Sequence, residues 1–235
     1  MAFFVFVLLC VAVAEVKSAI LNPWSKVEAV QCGVEASTNL VHHNPWLVYI
    51  EYWRGDTDTE IRCAGTLIDN KHIVTAAHCV KTLKFSRLVA RLGEYDVYSK
   101  EDCVQGVYFI RPICLPSGDL EKDTQFFAAG WGEIPTKGFF SHVKKIIPLP
   151  YWTREECQRV YQYNHIPENV ICAGGEEGID TCRGDSGGPL TRVRDTIELW
   201  GVTSHGNIHC GTKNSPGIYT SVADHLDWIK TVLDS

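Results

Sequence analysis

The sequence predicts an all-β protein of the sandwich or barrel kind. From Pro45 onward the apolar residues fall in short β-type runs, turn signals rich in Gly, Asp, Asn and Pro separate them, and only two stretches keep a helical spacing. No repeat and no low-complexity tract interrupts this pattern.

The first strands are read at Trp46–Trp53, Arg62–Ile68, His72–Thr75 and Leu88–Leu92, with Gly55–Asp58 as a hairpin turn. That turn's carboxylates lack the acidic ligand at the spacing a calcium loop needs. A second set follows at Thr124–Gly132, His142–Pro148, Val170–Gly174, Gly188–Val193, Ile197–Ser204 and Gly217–Val222. Thr153 followed by Glu156 is a capping box, so a helix is expected from there to Tyr161. Leu226, Ile229 and Val232 share one face of a second helix over Asp224–Leu233.

At 235 residues the chain suits one large domain or two small ones fused, and 45% hydrophobic with 21% charged residues is globular usage. A net charge of −6 argues against a nucleic-acid or membrane-surface footprint. Residues 1–14 read as a signal peptide ending in Ala12-Val13-Ala14, with a second cut possible after Ala19. Secretion to the extracellular space is therefore expected, with a short segment over 15–33 ahead of a domain over 34–235. Ten cysteines suit an oxidising compartment; Cys10 leaves with the leader and nine remain, an odd number.

Chemistry concentrates in Asp180-Thr181-Cys182-Arg183-Gly184-Asp185-Ser186-Gly187-Gly188-Pro189. A serine nucleophile needs a tight exposed turn, amides aimed at the developing oxyanion and a nearby base. The glycines around Ser186 permit the turn, and the Gly184 and Ser186 amides could converge on one point. Thr75-Ala76-Ala77-His78-Cys79 offers the base, directly after a β run and beside a cysteine able to anchor it.

With these two stretches the chain resembles the chymotrypsin/trypsin family of serine proteases, in particular the protease domains of invertebrate extracellular cascades. The resemblance extends over Asn44-Pro45-Trp46, Cys63-Ala64-Gly65-Thr66-Leu67, Arg111-Pro112-Ile113-Cys114-Leu115-Pro116, Gly130-Trp131-Gly132, Pro216-Gly217-Ile218-Tyr219-Thr220 and Trp228-Ile229. It implies two antiparallel β-barrels, with His78 as general base and acid, Ser186 as nucleophile and the Gly184 and Ser186 amides as oxyanion hole. Asp180 matches the specificity carboxylate that favours Arg or Lys at the cleaved bond, Gly206 and Gly217 the glycines that keep its pocket open, and Ser204 the strand that pairs with substrate backbone. Disulfides Cys63–Cys79, Cys157–Cys172, Cys182–Cys210 and Cys32–Cys114 are implied, leaving Cys103 free. Trp131 and Trp200 read as core aromatics, and His42, His43 and His209 as surface residues; no metal and no cofactor is expected. Substrates would be proteins or peptides with Arg or Lys at the cleaved bond, and other partners protease inhibitors or cascade proteases.

Two departures matter. The family's third triad member, an Asp roughly forty-five residues after the histidine, has no counterpart: only 36 positions separate His78 from Cys114. About thirty residues called for by the resemblance are missing near Cys103, so the first barrel should be incomplete; Asp96 and Asp102 are the nearest substitutes. Family zymogens also expose a new amino terminus that pairs with the Asp before the nucleophile, here Asp185, and no matching cleavage site precedes Gly33-Val34-Glu35. Three readings follow: a trypsin-like endopeptidase with an incomplete triad, a catalytically silent homologue that binds or regulates cascade proteins, or a spliced form of an ordinary protease.

Overall fold

Strand β1 (Leu47–Arg54) explains why two sheets form and where they meet. Six of its residues in succession are buried, because both of its faces are covered. Val48, Ile50 and Tyr52 point into one core with Trp46, Leu67, Ala90 and Leu92, while Leu47 and Tyr49 point the other way onto Ala64, Ala129 and Trp131. The structure, a computed structural model, describes residues 31–35, 38–39, 42–56, 58–81, 85–99, 109–134, 137–162 and 165–234, with 58–62 as backbone only. The leader, Asp102 and Cys103 lie outside the described residues.

The first sheet is open. Its order is β3 (Ile73–Val74), β2 (Asp58–Leu67), β1 and β4 (Arg87–Leu92), all antiparallel, with β3 and β4 as its edges among the described residues. The second closes on itself: β5 (Gln125–Gly130), β6 (Lys145–Trp152), β7 (Val170–Gly174), β8 (Pro189–Val193), β9 (Ile197–His205) and β10 (Pro216–Ser221) form a barrel in the order β10-β7-β6-β5-β8-β9. Phe126, Leu149, Ile171, Leu190, Trp200 and Tyr219 fill it. The fold is thus all-β, one closed barrel beside a half-barrel, with a helix at the C-terminal end. No helix among the described residues is long and apolar enough to cross a membrane.

Helix α1 (Ala77–Lys81) was not read from the sequence; it is five residues long, too short for a periodic signal. Helix α2 (Arg154–Val160) carries the expected box: Glu156 N donates to Thr153 Oγ1 and Thr153 N to Glu156 Oε2. Thr153→Ala should therefore lower stability by about 1 kcal/mol, measured as a shift in the urea midpoint. Helix α3 (Leu226–Leu233) packs its Ile229 into the half-barrel core.

Strand β2 starts at Asp58, four residues before the expected Arg62, and α3 at Leu226 after a 3-10 turn over Ala223–His225; β6 differs from expectation at both ends. His142–Lys144 does not belong to β6; Val143 bridges Asp96, Val97 N donates to His142 O and Lys144 N to Tyr95 O, so this segment ties the two halves together. β6 runs on through Pro148 and Pro150 to Trp152. Tyr151 N donates toward the β5 side, to Thr124 O, so the two prolines fall on the opposite side, which β7 reaches only at Tyr151 and Trp152. His42, expected at the surface, is buried and stacks on Phe109 at 4.3 Å.

Candidate active site

The histidine turn is pinned from three directions. Thr75 Oγ1 donates to Ala64 O at 2.7 Å, Tyr52 Oη donates to Cys79 O at 2.9 Å, and the Cys63–Cys79 disulfide ties α1 to β2. Cys79 and Ala76 are thereby buried and His78, between them, projects outward and is exposed. The sulfurs of Cys63 and Cys79 lie near the His78 ring, but joined to one another they present no thiolate to a cation.

The turn carrying Ser186 docks on that same corner. Ser186 O accepts from Ala64 N at 2.8 Å and sits 3.6 Å from Cys79 Sγ. Two successive turns shape it, Asp185 N to Cys182 O at 3.0 Å and Gly188 N to Asp185 O at 2.9 Å. Gly187 N donates to Thr203 O and Thr203 N to Gly188 O, fixing the turn to β9. Gly187 has φ +83°, and a Cβ there would overlap Thr75 Oγ1 and Ala64 O, so the packing of the turn against the half-barrel demands glycine. Among the described residues the Gly184 and Ser186 amides find no acceptor, which leaves two donors for an oxyanion.

Ser186, Ser204 and Gly206 line one cavity of about 450 Å³, with Arg183, His205 and His209 on its wall. Asp180 does not line it. Asp180 lines instead a second cavity of about 300 Å³ that Asp185 also lines, and Thr181 borders both. Asp180 is buried; Oδ2 accepts from Gly211 N at 3.0 Å and Oδ1 has no hydrogen-bond partner among the described residues. Burial pushes its pKa up to about 6 against the pull of the Gly211 and Thr181 amides. Gly206 and Gly217 face each other, a Cβ on Gly206 lying 3.9 Å from Gly217 Cα, so side chains at either would narrow the space between them.

Asp185 is buried behind the serine. Gly132 N donates to its Oδ1 at 2.8 Å and Cys182 N to its Oδ2 at 3.0 Å, and no cation pairs with it among the described residues. Burial raises its pKa to about 6. A Cβ on Gly130 or Gly132 would overlap this carboxylate, which is the physical content of the Gly-Trp-Gly sequence. Trp131 and Trp200 are buried, as expected of core aromatics.

Sequence reasoning missed a strut at the cleft mouth: Arg183 forks onto Glu133 with two contacts of 2.6 Å, while Glu133 N donates to Arg183 O. The signal would have been an acidic residue directly after Gly132. Asp96, a candidate substitute for the missing carboxylate, is held by Tyr98 N at 3.0 Å and by the His142 ring at 3.2 Å. Among the described residues four disulfides are formed, Cys32–Cys114, Cys63–Cys79, Cys157–Cys172 and Cys182–Cys210, and such bonding is compatible with secretion.

Comparison with curated proteins agrees with this architecture. The chain is 33% identical over 242 residues to the CLIP domain-containing serine protease B15 of Anopheles gambiae, covering 81% of this chain and 66% of that protein. It is 31% identical over 240 residues to phenoloxidase-activating factor 3 of Holotrichia diomphalia, covering 79% and 68%, and 30% identical over 254 residues to the Spaetzle-processing enzyme of Drosophila melanogaster, covering 81% and 63%. The chain spans about two thirds of the length of these relatives. The 242 positions aligned with the first exceed the portion of this chain they use, so that relative carries residues within the span that this chain lacks. The trypsin family model matches residues 31–109 and again 103–229, in two pieces that meet at 103–109. With both halves of the fold inside that match, the chain belongs to the trypsin family of serine proteases.

Proposed function

We propose that this chain is a secreted trypsin-like serine endopeptidase domain, over 34–235, that binds Arg or Lys side chains of protein substrates and hydrolyses the following bond slowly. The observation that carries the reading is the docking of the Ser186 turn on the disulfide corner that bears His78, with the Gly184 and Ser186 amides unclaimed. In this mechanism Ser186 Oγ attacks the scissile carbonyl, His78 takes the hydroxyl proton and returns it to the leaving amine, and the two amides stabilise the oxyanion. The cationic side chain passes between Gly206 and Gly217 toward Asp180. Loss of the triad carboxylate costs about 10⁴ in turnover in the parent mechanism.

A second reading is a silent homologue that binds protease inhibitors or other cascade proteases. It is supported by the buried Asp185, which no cation pairs with among the described residues, and by the division of the family match into two pieces that overlap at 103–109. Treatment with a fluorophosphonate probe separates the two. Slow labelling that disappears in both Ser186→Ala and His78→Ala supports the enzyme; no labelling, with retained binding of a proteinaceous trypsin inhibitor, supports the homologue. Labelling at the rate of trypsin itself would overturn the claim that the triad is incomplete.

A further inference from the structure

The half-barrel is open, and its gap is not filled by the described chain. Both edge strands, β3 and β4, face one cavity of about 300 Å³ roofed by α3. Ile73 and Val74 come from one edge, Leu88 and Ala90 from the other, and Trp228 and Val232 from the helix. Trp228 is 65% exposed and Val80, also on the wall, is 45% exposed, so the apolar lining of the cavity continues onto the surface as one patch. A void walled by two sheet edges offers more than apolar contact: among the described residues each edge carries backbone donors and acceptors with no strand beside them, and an extended segment satisfies both needs together.

The rim selects the occupant's charge. Lys71, Lys81, Arg87 and Lys230 each stand next in sequence to a lining residue and are exposed, and none forms an ion pair among the described residues. Against them stand Asp227 and Asp69, and Asp69 is already engaged by the Lys71 and His72 amides and the His72 ring. The first relative carries residues within the aligned span that this chain lacks, and the family model matches in two pieces that overlap at 103–109 instead of running through as one.

We propose that this gap is a docking slot for an extended segment of a partner protein, aliphatic at alternate positions and flanked by acidic residues, which pairs with the free sheet edges and buries its apolar side chains beneath α3. The test uses the full chain and a synthetic nonapeptide carrying fluorescein on its amino terminus, fluorescein-Glu-Asp-Val-Thr-Ile-Thr-Leu-Glu-Asp-amide, followed by anisotropy. Saturable binding is expected. Replacing the four acidic residues by Lys should weaken it at least tenfold, and so should placing Pro at the central Ile, which removes a strand donor. Trp228→Glu, at an exposed position, should weaken binding at least tenfold with the unfolding temperature unchanged. Absence of saturable binding, equal binding of the proline peptide, or sedimentation of the free chain as a dimer that excludes the peptide would each overturn the proposal.

Discussion

Asp180→Asn should weaken the binding of benzamidine, a mimic of the arginine side chain, by about 2–5 kcal/mol, a loss of thirtyfold or more. The reason is the state of the carboxylate before the ligand arrives. Asp180 is buried, one of its oxygens has no hydrogen-bond partner among the described residues, and burial pushes its pKa up to about 6. A cation binds the ionised form and returns what burial costs. Because the free protein's pKa is raised, the ligand must wait for the proton to leave, so affinity grows as pH rises through about 6 and levels off above it. At pH 5 roughly a tenth of the carboxyl is ionised, so affinity should be about tenfold weaker than at pH 7.5. Calorimetric titration at the two pH values checks this, and Asp180→Asn should flatten the dependence. A wild-type affinity independent of pH would place the ligand elsewhere.

How much of this was legible follows from where the signals are local. Val170–Gly174 was read with the bounds it has in the barrel, because β-branched and small residues there are bounded by turn chemistry. The Thr153 box was read because its two partners lie three residues apart. What escaped depends on distant chain. Lys144 leaves the β6 pattern because its ammonium donates to His43 O at 2.5 Å, about a hundred residues earlier, and its backbone pairs with Tyr95. His42 is buried because Phe109 stacks on it, which no reading of His42-His43 alone reveals. In the site, the motifs led to Ser186 and His78, but they did not reveal that Asp180 and Asp185 line one cavity while Ser186 lines another. That separation is tertiary, arising from how residues 178–188 are threaded between the 130–134 segment and β9.

Gly132→Ala should destabilise the protein by more than about 3 kcal/mol and sharply reduce its folded yield, although it adds one methyl group. That methyl would occupy the space of the Asp185 carboxyl, which Gly132 N and Cys182 N hold in place. The carboxyl has nowhere dry to go: displaced, it would lose both amide donors while remaining behind the serine turn. Asp185 is itself a cost, since its pKa is raised from 3.8 to about 6 by burial. The folded state holds this proton more tightly than the unfolded chain does, so the associated stability is full below about pH 4 and is lost as pH rises toward 6, about 3 kcal/mol in all. The two effects share one space and should not add. In the double variant Gly132→Ala/Asp185→Ala, the methyl group takes room that the carboxyl has vacated, and most of the single variant's loss should be recovered. Urea unfolding of wild type, both single variants and the double variant measures the coupling. A double variant as unstable as the sum of the singles would show that Gly132 is required for a reason other than the carboxylate it shelters.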